Sequence, residues 1–446
     1  NGPERIIGAE EGTSYIYWQE AWGFSEDNRG EFPTEYALDV SVADLNQDGY
    51  TDVVFLQGGI PGSIRIFYEG QTGIDTARYN DIEVLAPVWG SIVRKILIAD
   101  LNGDNKPDIF VPSVGGSSEI FWNGTGGLSQ SDRSVIPSRD ALDAAAEDLN
   151  GNGYNDLVVV NQNGPSYIYW NSPGGFSEDR RTELPTNVAT GVAISDLDKD
   201  GFFDIVFSNS QDGESYDNPS FIYWGSKDGY HPGDRDELWG FGPVDVSVAD
   251  FDKNGLDDIF LMNRQNGHRS PQYGISSYNS VDLFVYWGNK RSRYSVASMS
   301  LLPGARPQSS ALATDLTGNG YADLVYLTDQ GKTLNVFYGD NKGFSVDKKS
   351  RYDIYIQGRT PLTADLNKDG YLDFIVESDK NELAVLLGKK EGFEEVQLYA
   401  FDGFEHDLRT QSTGDINGDG NLDLLFGGHG FIKILYGTGQ GSFDIK

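Results

Sequence analysis

A nine-residue acidic loop, of the form Asp-x-Asn/Asp-x-Asn/Asp-Gly-x-x-Asp, recurs eight times in this chain of 446 residues. The copies are DLNQDGYTD at 44–52, DLNGDNKPD at 100–108, DLNGNGYND at 148–156 and DLDKDGFFD at 196–204. The others are DFDKNGLDD at 250–258, DLTGNGYAD at 315–323, DLNKDGYLD at 365–373 and DINGDGNLD at 415–423. Their starts lie 48 to 65 residues apart. Self-similarity at such a period makes each unit one supersecondary element that must stack on its neighbours to bury a core.

Each loop joins a mostly alternating stretch, such as DVSVAD at 39–44, to an apolar run, such as DVVF at 52–55. An aromatic-rich stretch follows, as in IRIFY (64–68), YIYW (167–170) and FIYW (221–224), then a turn such as GGFS (174–177) and a less regular fourth segment. Alternation and aromatic enrichment read as four short strands per unit, and no stretch holds a 3.6-residue period, so helix is scarce. The expectation is an all-β chain, residues 1–446, folded as a single β-propeller of four-stranded antiparallel blades. A unit of about 50 residues without disulfides is marginal for folding alone. Repeats begin near 38, 94, 142, 190, 244, 309, 359 and 409, and residues 1–35 form an incomplete unit that aligns with 155–184 and starts at the second strand. Eight blades, with those extra strands helping to close the ring, is the favoured count; seven and nine are the alternatives.

The net charge is −34, from 68 acidic and 34 basic residues. Nucleic acid and anionic membrane surfaces need a positive face, so neither is an expected partner. There is no cysteine, which excludes disulfides, thiolate metal sites and a cysteine nucleophile. The four histidines, His231, His268, His406 and His429, lack the spacing of zinc ligands. No run approaches the length of a membrane-spanning helix. The opening NGPERIIGAEEG reads as a mature or excised terminus rather than a signal peptide.

Crowded carboxylates repel, and the loop's oxygen spacing suggests what offsets this. Side-chain oxygens stand at loop positions 1, 3, 5 and 9, and position 7 can offer a backbone carbonyl. Hard oxygen donors in a flexible loop select Ca²⁺, whereas Mg²⁺ demands a tighter octahedron. The expected ligands are Asp44, Asn46, Asp48, Tyr50 and Asp52; Asp100, Asn102, Asp104, Lys106 and Asp108; and Asp148, Asn150, Asn152, Tyr154 and Asp156. The middle loops supply Asp196, Asp198, Asp200, Phe202 and Asp204, then Asp250, Asp252, Asn254, Leu256 and Asp258. The last three supply Asp315, Thr317, Asn319, Tyr321 and Asp323; Asp365, Asn367, Asp369, Tyr371 and Asp373; and Asp415, Asn417, Asp419, Asn421 and Asp423. The opening is EF-hand-like, but the Glu at position 12 and the flanking helices are missing. The four-carboxylate loop at Asp196 should bind tightest, and the loops at Asp148 and Asp315 weakest. With Kd of about 10⁻⁴–10⁻³ M and roughly millimolar Ca²⁺, each of up to eight structural sites contributes about 0.4–1.4 kcal/mol.

This loop between β-strands, followed by YWG…GFS strands, resembles the FG-GAP/VCBS repeats of the integrin α-subunit propeller, a fungal propeller lectin and secreted bacterial adhesion proteins. The resemblance implies calcium at the loops named above, and carbohydrate or protein binding outside the cell. It supplies no catalytic residue. Candidate ligand-binding residues lie in two long connections between second and third strands, 208–220 and 263–280: Tyr216, Arg264, His268, Arg269, Tyr273 and Tyr278. The third-strand tryptophans Trp18, Trp122, Trp170, Trp224 and Trp287 are too regularly placed for sugar platforms and read as packing between blades. One glycosylation sequon, NGT, stands at 123–125. The leading expectation is a non-enzymatic recognition or adhesion module for a glycan or extracellular protein. The alternatives are a subunit of a surface layer or appendage, assembling through the incomplete first unit, and a polysaccharide lyase using His268 with Arg264 or Arg269.

Overall fold

The computed structural model describes residues 5–7, 14–17, 29–34, 37–58, 61–71, 74–85, 96–263, 282–289, 294–302, 312–328, 332–345, 347–354, 358–378, 382–389, 392–400, 408–414, 421–428 and 431–444. These residues form eight four-stranded antiparallel sheets. Sheet 1 comprises Ala37–Ala43, Asp52–Gln57, Gly62–Phe67 and Asn80–Val84. Sheets 2 to 8 repeat the plan with first strands Leu97–Ala99, Ala141–Glu147, Ala189–Ser195, Pro243–Ala249, Leu312–Thr314, Gly358–Ala364 and Leu408–Gly414. Within each sheet every strand pairs with the one that follows it; in sheet 7 a short hairpin, Gly388–Lys389 with Gly392–Phe393, interrupts the third connection. Among the described residues there is no α-helix, only two 3₁₀ turns at Glu178–Arg180 and Val296–Ser298. Among the described residues no helix is long and apolar enough to cross a membrane.

Burial explains the strand grammar. Second strands such as Asp156–Asn161 and Asp204–Asn209 are buried along their whole length, because both faces meet a neighbouring sheet. Fourth strands such as Arg181–Leu184 bury only their last residue and form the outer edge. The cores lie between consecutive sheets: Val158, Val160 and Ile168 of sheet 3 pack on Ile205, Phe207, Phe221 and Tyr223 of sheet 4. First strands of neighbouring sheets lie side by side, as in sheets 3, 4 and 5. The sheets are therefore the blades of a β-propeller, with first strands innermost. At Gly191 a Cβ would lie 2.8 Å from Asp245 Oδ1 on the adjacent first strand, so any larger residue would have to push that carboxylate aside.

The N-terminal strands Arg5–Ile7, Ser14–Tyr17 and Arg29–Phe32 do not add to sheet 8. They make a three-stranded sheet of their own. Phe32 ties it to sheet 1, with its ring 5.3 Å from Phe55 and 4.4 Å from Phe67.

Candidate metal centres

Seven of the eight acidic loops are described, and each of these bridges the first and second strands of its sheet. The first Asp organises the turn. Asp44 accepts from the N–H of Asp48 at 3.1 Å and of Gly49 at 2.9 Å. Asp148, Asp196, Asp250, Asp315 and Asp365 accept from the same two positions of their own loops. The position-5 oxygen holds the N–H of position 7, as in Asp48 with Tyr50 and Asp200 with Phe202, both at 2.9 Å. The glycine at position 6 is left-handed, from φ 86 at Gly153 to φ 94 at Gly201, and Asn105 fills that place at φ 63. Position 4 is left-handed as well, in Gln47, Gly103, Gly151, Lys199, Lys253, Gly318 and Lys368. Sequence reasoning missed this second turn, although glycine stands at half of the eight position-4 sites.

Position 9 is a buried latch. Asp204 is 1% exposed; its Oδ2 accepts from Leu197 N at 2.9 Å and its Oδ1 from Gly225 N at 2.8 Å. One bond closes the loop, and the other reaches the second residue beyond the third strand. Asp52, Asp108, Asp156, Asp258, Asp323 and Asp373 make the same pair. Burial outweighs these bonds and pushes Asp204 and Asp258 up to about 7, and Asp108, Asp156 and Asp373 up to about 6. Neighbouring loop carboxylates add to the shift.

The residues fit a hard divalent cation. In the two loops with Asp at position 3, Asp196, Asp198 and Asp204, and likewise Asp250, Asp252 and Asp258, bring carboxylate oxygens within 4.8 Å of one another. Ligands at the usual Ca²⁺–O distance of about 2.3–2.6 Å span such a gap. Asp200, at position 5, is not part of the first group. In the loop at Asp315, Thr317 Oγ1 is buried without a hydrogen-bond partner, an orphan acceptor at the position where other loops carry Asp or Asn. Asp415, Asn417 and Asp419 lie outside the described residues; Asn421 accepts from Lys368 Nζ at 2.9 Å, and Asp423 opens the second strand of sheet 8.

Side chains from the following sheet brace two of the loops. Asn123 Nδ2 donates to Leu45 O at 2.6 Å and to Pro107 O at 3.1 Å. Asn171 Nδ2 donates to Leu101 O at 2.7 Å and to Asn155 O at 2.9 Å. In sheets 4 to 7 glycine stands at that place, as Gly225, Gly288, Gly339 and Gly388. There the position-8 carbonyl comes too close for any Cβ: Phe203 O would lie 2.1 Å from one on Gly225. The hydroxyl of Tyr230 instead donates to Phe203 O at 2.5 Å, and that of Tyr294 donates to Asp257 O.

Of the expected ligand-binding residues, Tyr216 is buried rather than offered to solvent; its carbonyl accepts from Gly242 N at 2.6 Å as its loop folds onto 239–242. Arg264, His268, Arg269, Tyr273 and Tyr278 lie outside the described residues. The tryptophans pack between blades: Trp122 stacks on Phe176, Trp170 on Tyr230 and Trp224 on Tyr294, at 6.4, 6.0 and 6.4 Å. Trp18 lies outside the described residues. The sequon is closed, because Asn123 is 2% exposed and both amide hydrogens are engaged. Between sheets 2 and 3 a cleft of about 520 Å³ is lined by Asn102, Trp122, Ser134, Val135 and Phe176.

Four stretches, residues 100–159, 148–207, 315–376 and 365–426, match the FG-GAP-like repeat. No curated protein matches the chain in sequence. Among solved structures the chain is similar to Sqt1 of Saccharomyces cerevisiae, with 9% identity, 90% of this chain and 96% of that one covered, and a TM-score of 0.49. It is similar to the biofilm matrix protein Bap1 of V. cholerae, with 15% identity, 95% and 80% covered, and a TM-score of 0.40. It is also similar to the Dos1 propeller, with 10% identity, 74% and 78% covered, and a TM-score of 0.41.

Proposed function

From the premise that the chain is an FG-GAP-repeat β-propeller, we propose that it is a calcium-stabilised, non-enzymatic recognition module working outside the cell. The observation that carries the calcium half is the convergence of Asp196, Asp198 and Asp204, and of Asp250, Asp252 and Asp258. Bound Ca²⁺ would neutralise these crowded oxygens and add no covalent or redox chemistry. Position 1 shapes the turn, position 3 completes the oxygen set, and position 9 transmits the loop's order to the third strand. The ligand class is a glycan or an extracellular protein. The cleft between sheets 2 and 3 supports this reading: it has aromatic walls, Val135 is 50% exposed on its rim, and neutral polar groups lie beside it.

A glycan and matrix-protein panel, run with Ca²⁺ and again with EGTA, tests this. Binding that needs Ca²⁺ and is lost in Val135→Arg supports it. Absence of any binding, or binding untouched by both changes, counts against it. A second reading, assembly into a surface layer, is favoured by the three-stranded first sheet. Among the described residues its strand Arg5–Ile7 pairs on one side only, with Ser14–Tyr17.

A further inference from the structure

We infer that Asn123 and Asn171 are positioning residues for the metal loop of the preceding sheet, so that one blade sets the cation affinity of another. The inference rests on the calcium reading and goes beyond it. Asn171 belongs to sheet 3, yet its amide holds Leu101 O at 2.7 Å, 70 residues back in the chain. Leu101 is the second residue of the loop at 100–108, flanked by Asp100 and Asn102. Its N–H in turn holds Asp108 Oδ2 at 2.9 Å. The Asn171 amide therefore fixes, through its carbonyl, the residue that sits between the position-1 and position-3 donors and whose N–H anchors the position-9 donor. Asn155 adds to the same loop by donating to Asp100 O at 3.0 Å. Asn123 does for Leu45, and through it for Asp52, what Asn171 does for Leu101. Both asparagines are buried, with 2% and 3% exposure, and neither side chain donates to an oxygen of its own sheet's cation-binding set.

The chain carries its own control. Sheets 4 to 7 have glycine at this place, so Asn171→Gly installs a residue the fold already uses there. The backbone N–H of residue 171, which holds Asp156 Oδ1 at 2.7 Å, is kept. Peptide-resolved hydrogen exchange of the full chain across a Ca²⁺ titration reads each loop separately. In Asn171→Gly the Ca²⁺ midpoint of 100–108 rises about fivefold, the size of one net hydrogen bond, and by more than that of 148–156, where the same amide reaches only Asn155 O beside the position-9 Asp. Asn123→Gly moves 44–52 more than 100–108, where it loses only the longer bond to Pro107 O. Asn171→Asp, which turns a carboxylate towards two carbonyls, raises the 100–108 midpoint further than Gly does. Circular dichroism confirms that each variant is folded. Equal movement of all loops, or no movement in a chain whose wild type responds to Ca²⁺, overturns the inference. A wild type whose loops ignore Ca²⁺ instead overturns the calcium reading beneath it.

Discussion

Gly225→Ala isolates the junction between loop and blade. The new Cβ would sit 2.1 Å from Phe203 O and 3.0 Å from its carbonyl carbon, where ordinary contact begins at 3.4 Å. The backbone must retreat by more than an ångström, and Gly225 N, now 2.8 Å from Asp204 Oδ1, leaves hydrogen-bonding range. Overpacking of this kind costs about 1–3 kcal/mol. Leaving one oxygen of a buried carboxylate unsatisfied costs about 1–3 kcal/mol more. The expected total is about 2–6 kcal/mol, even though alanine is the mildest change available. A repeat array need not unfold in one step, so the assay is exchange protection of the segments 197–209 and 220–225 rather than one melting temperature. A loss of 2 kcal/mol speeds exchange about 30-fold there. Gly126→Ala is the control: it has an ordinary φ and open space around it, and should be neutral or stabilising by about 0.4–1 kcal/mol. Protection in Gly225→Ala equal to that in Gly126→Ala would refute the steric argument and the latch with it.

Four further outcomes are expected. The metal-free chain should lose stability as pH rises from about 4 to about 7, because the folded state keeps protons on Asp204, Asp258 and their equivalents that the unfolded state, at 3.8, releases. Millimolar Ca²⁺ should raise the melting temperature and flatten that slope; scanning fluorimetry in EGTA and in Ca²⁺ at pH 5 and 7.5 would show identical curves if the loops bind no cation. Trp170→Ala should destabilise by about 2–3 kcal/mol, since it loses the Tyr230 stack and the 2.8 Å bond to Thr182 Oγ1, yet leave ligand binding intact. A selective loss of binding in a folded Trp170→Ala protein would return the tryptophan to the ligand surface. Folded protein secreted from a glycosylating host should carry no glycan at Asn123; intact-mass measurement detects one at once.

The architecture was legible because it is written locally and repeated. Alternation, the acidic loop and the aromatic third strand each fit within a few residues, and eight copies average out individual departures such as Thr317 and Asn105. What the sequence concealed depends on residues brought together from different blades. Nothing near Asn171 announces that its amide serves Leu101, and the change from asparagine to glycine beyond the third strand looks like drift until Phe203 O appears opposite Gly225. Tyr216 looked like a recognition residue because it lies in a polar, long connection; the folding of 210–219 onto 239–242 buries it. The sequon misled for the same reason, since burial of Asn123 is a property of the neighbouring loop.

The reach of Asn123 and Asn171 towards lower residue numbers gives the molecule a temporal order. A ribosome delivers Leu45 and Leu101 well before the amides that hold them, which follow 78 and 70 residues later. During translation each of these two pockets stays unfinished until the next blade has emerged. A chain stalled between the two would hold its newest acidic loop without the amide that braces it.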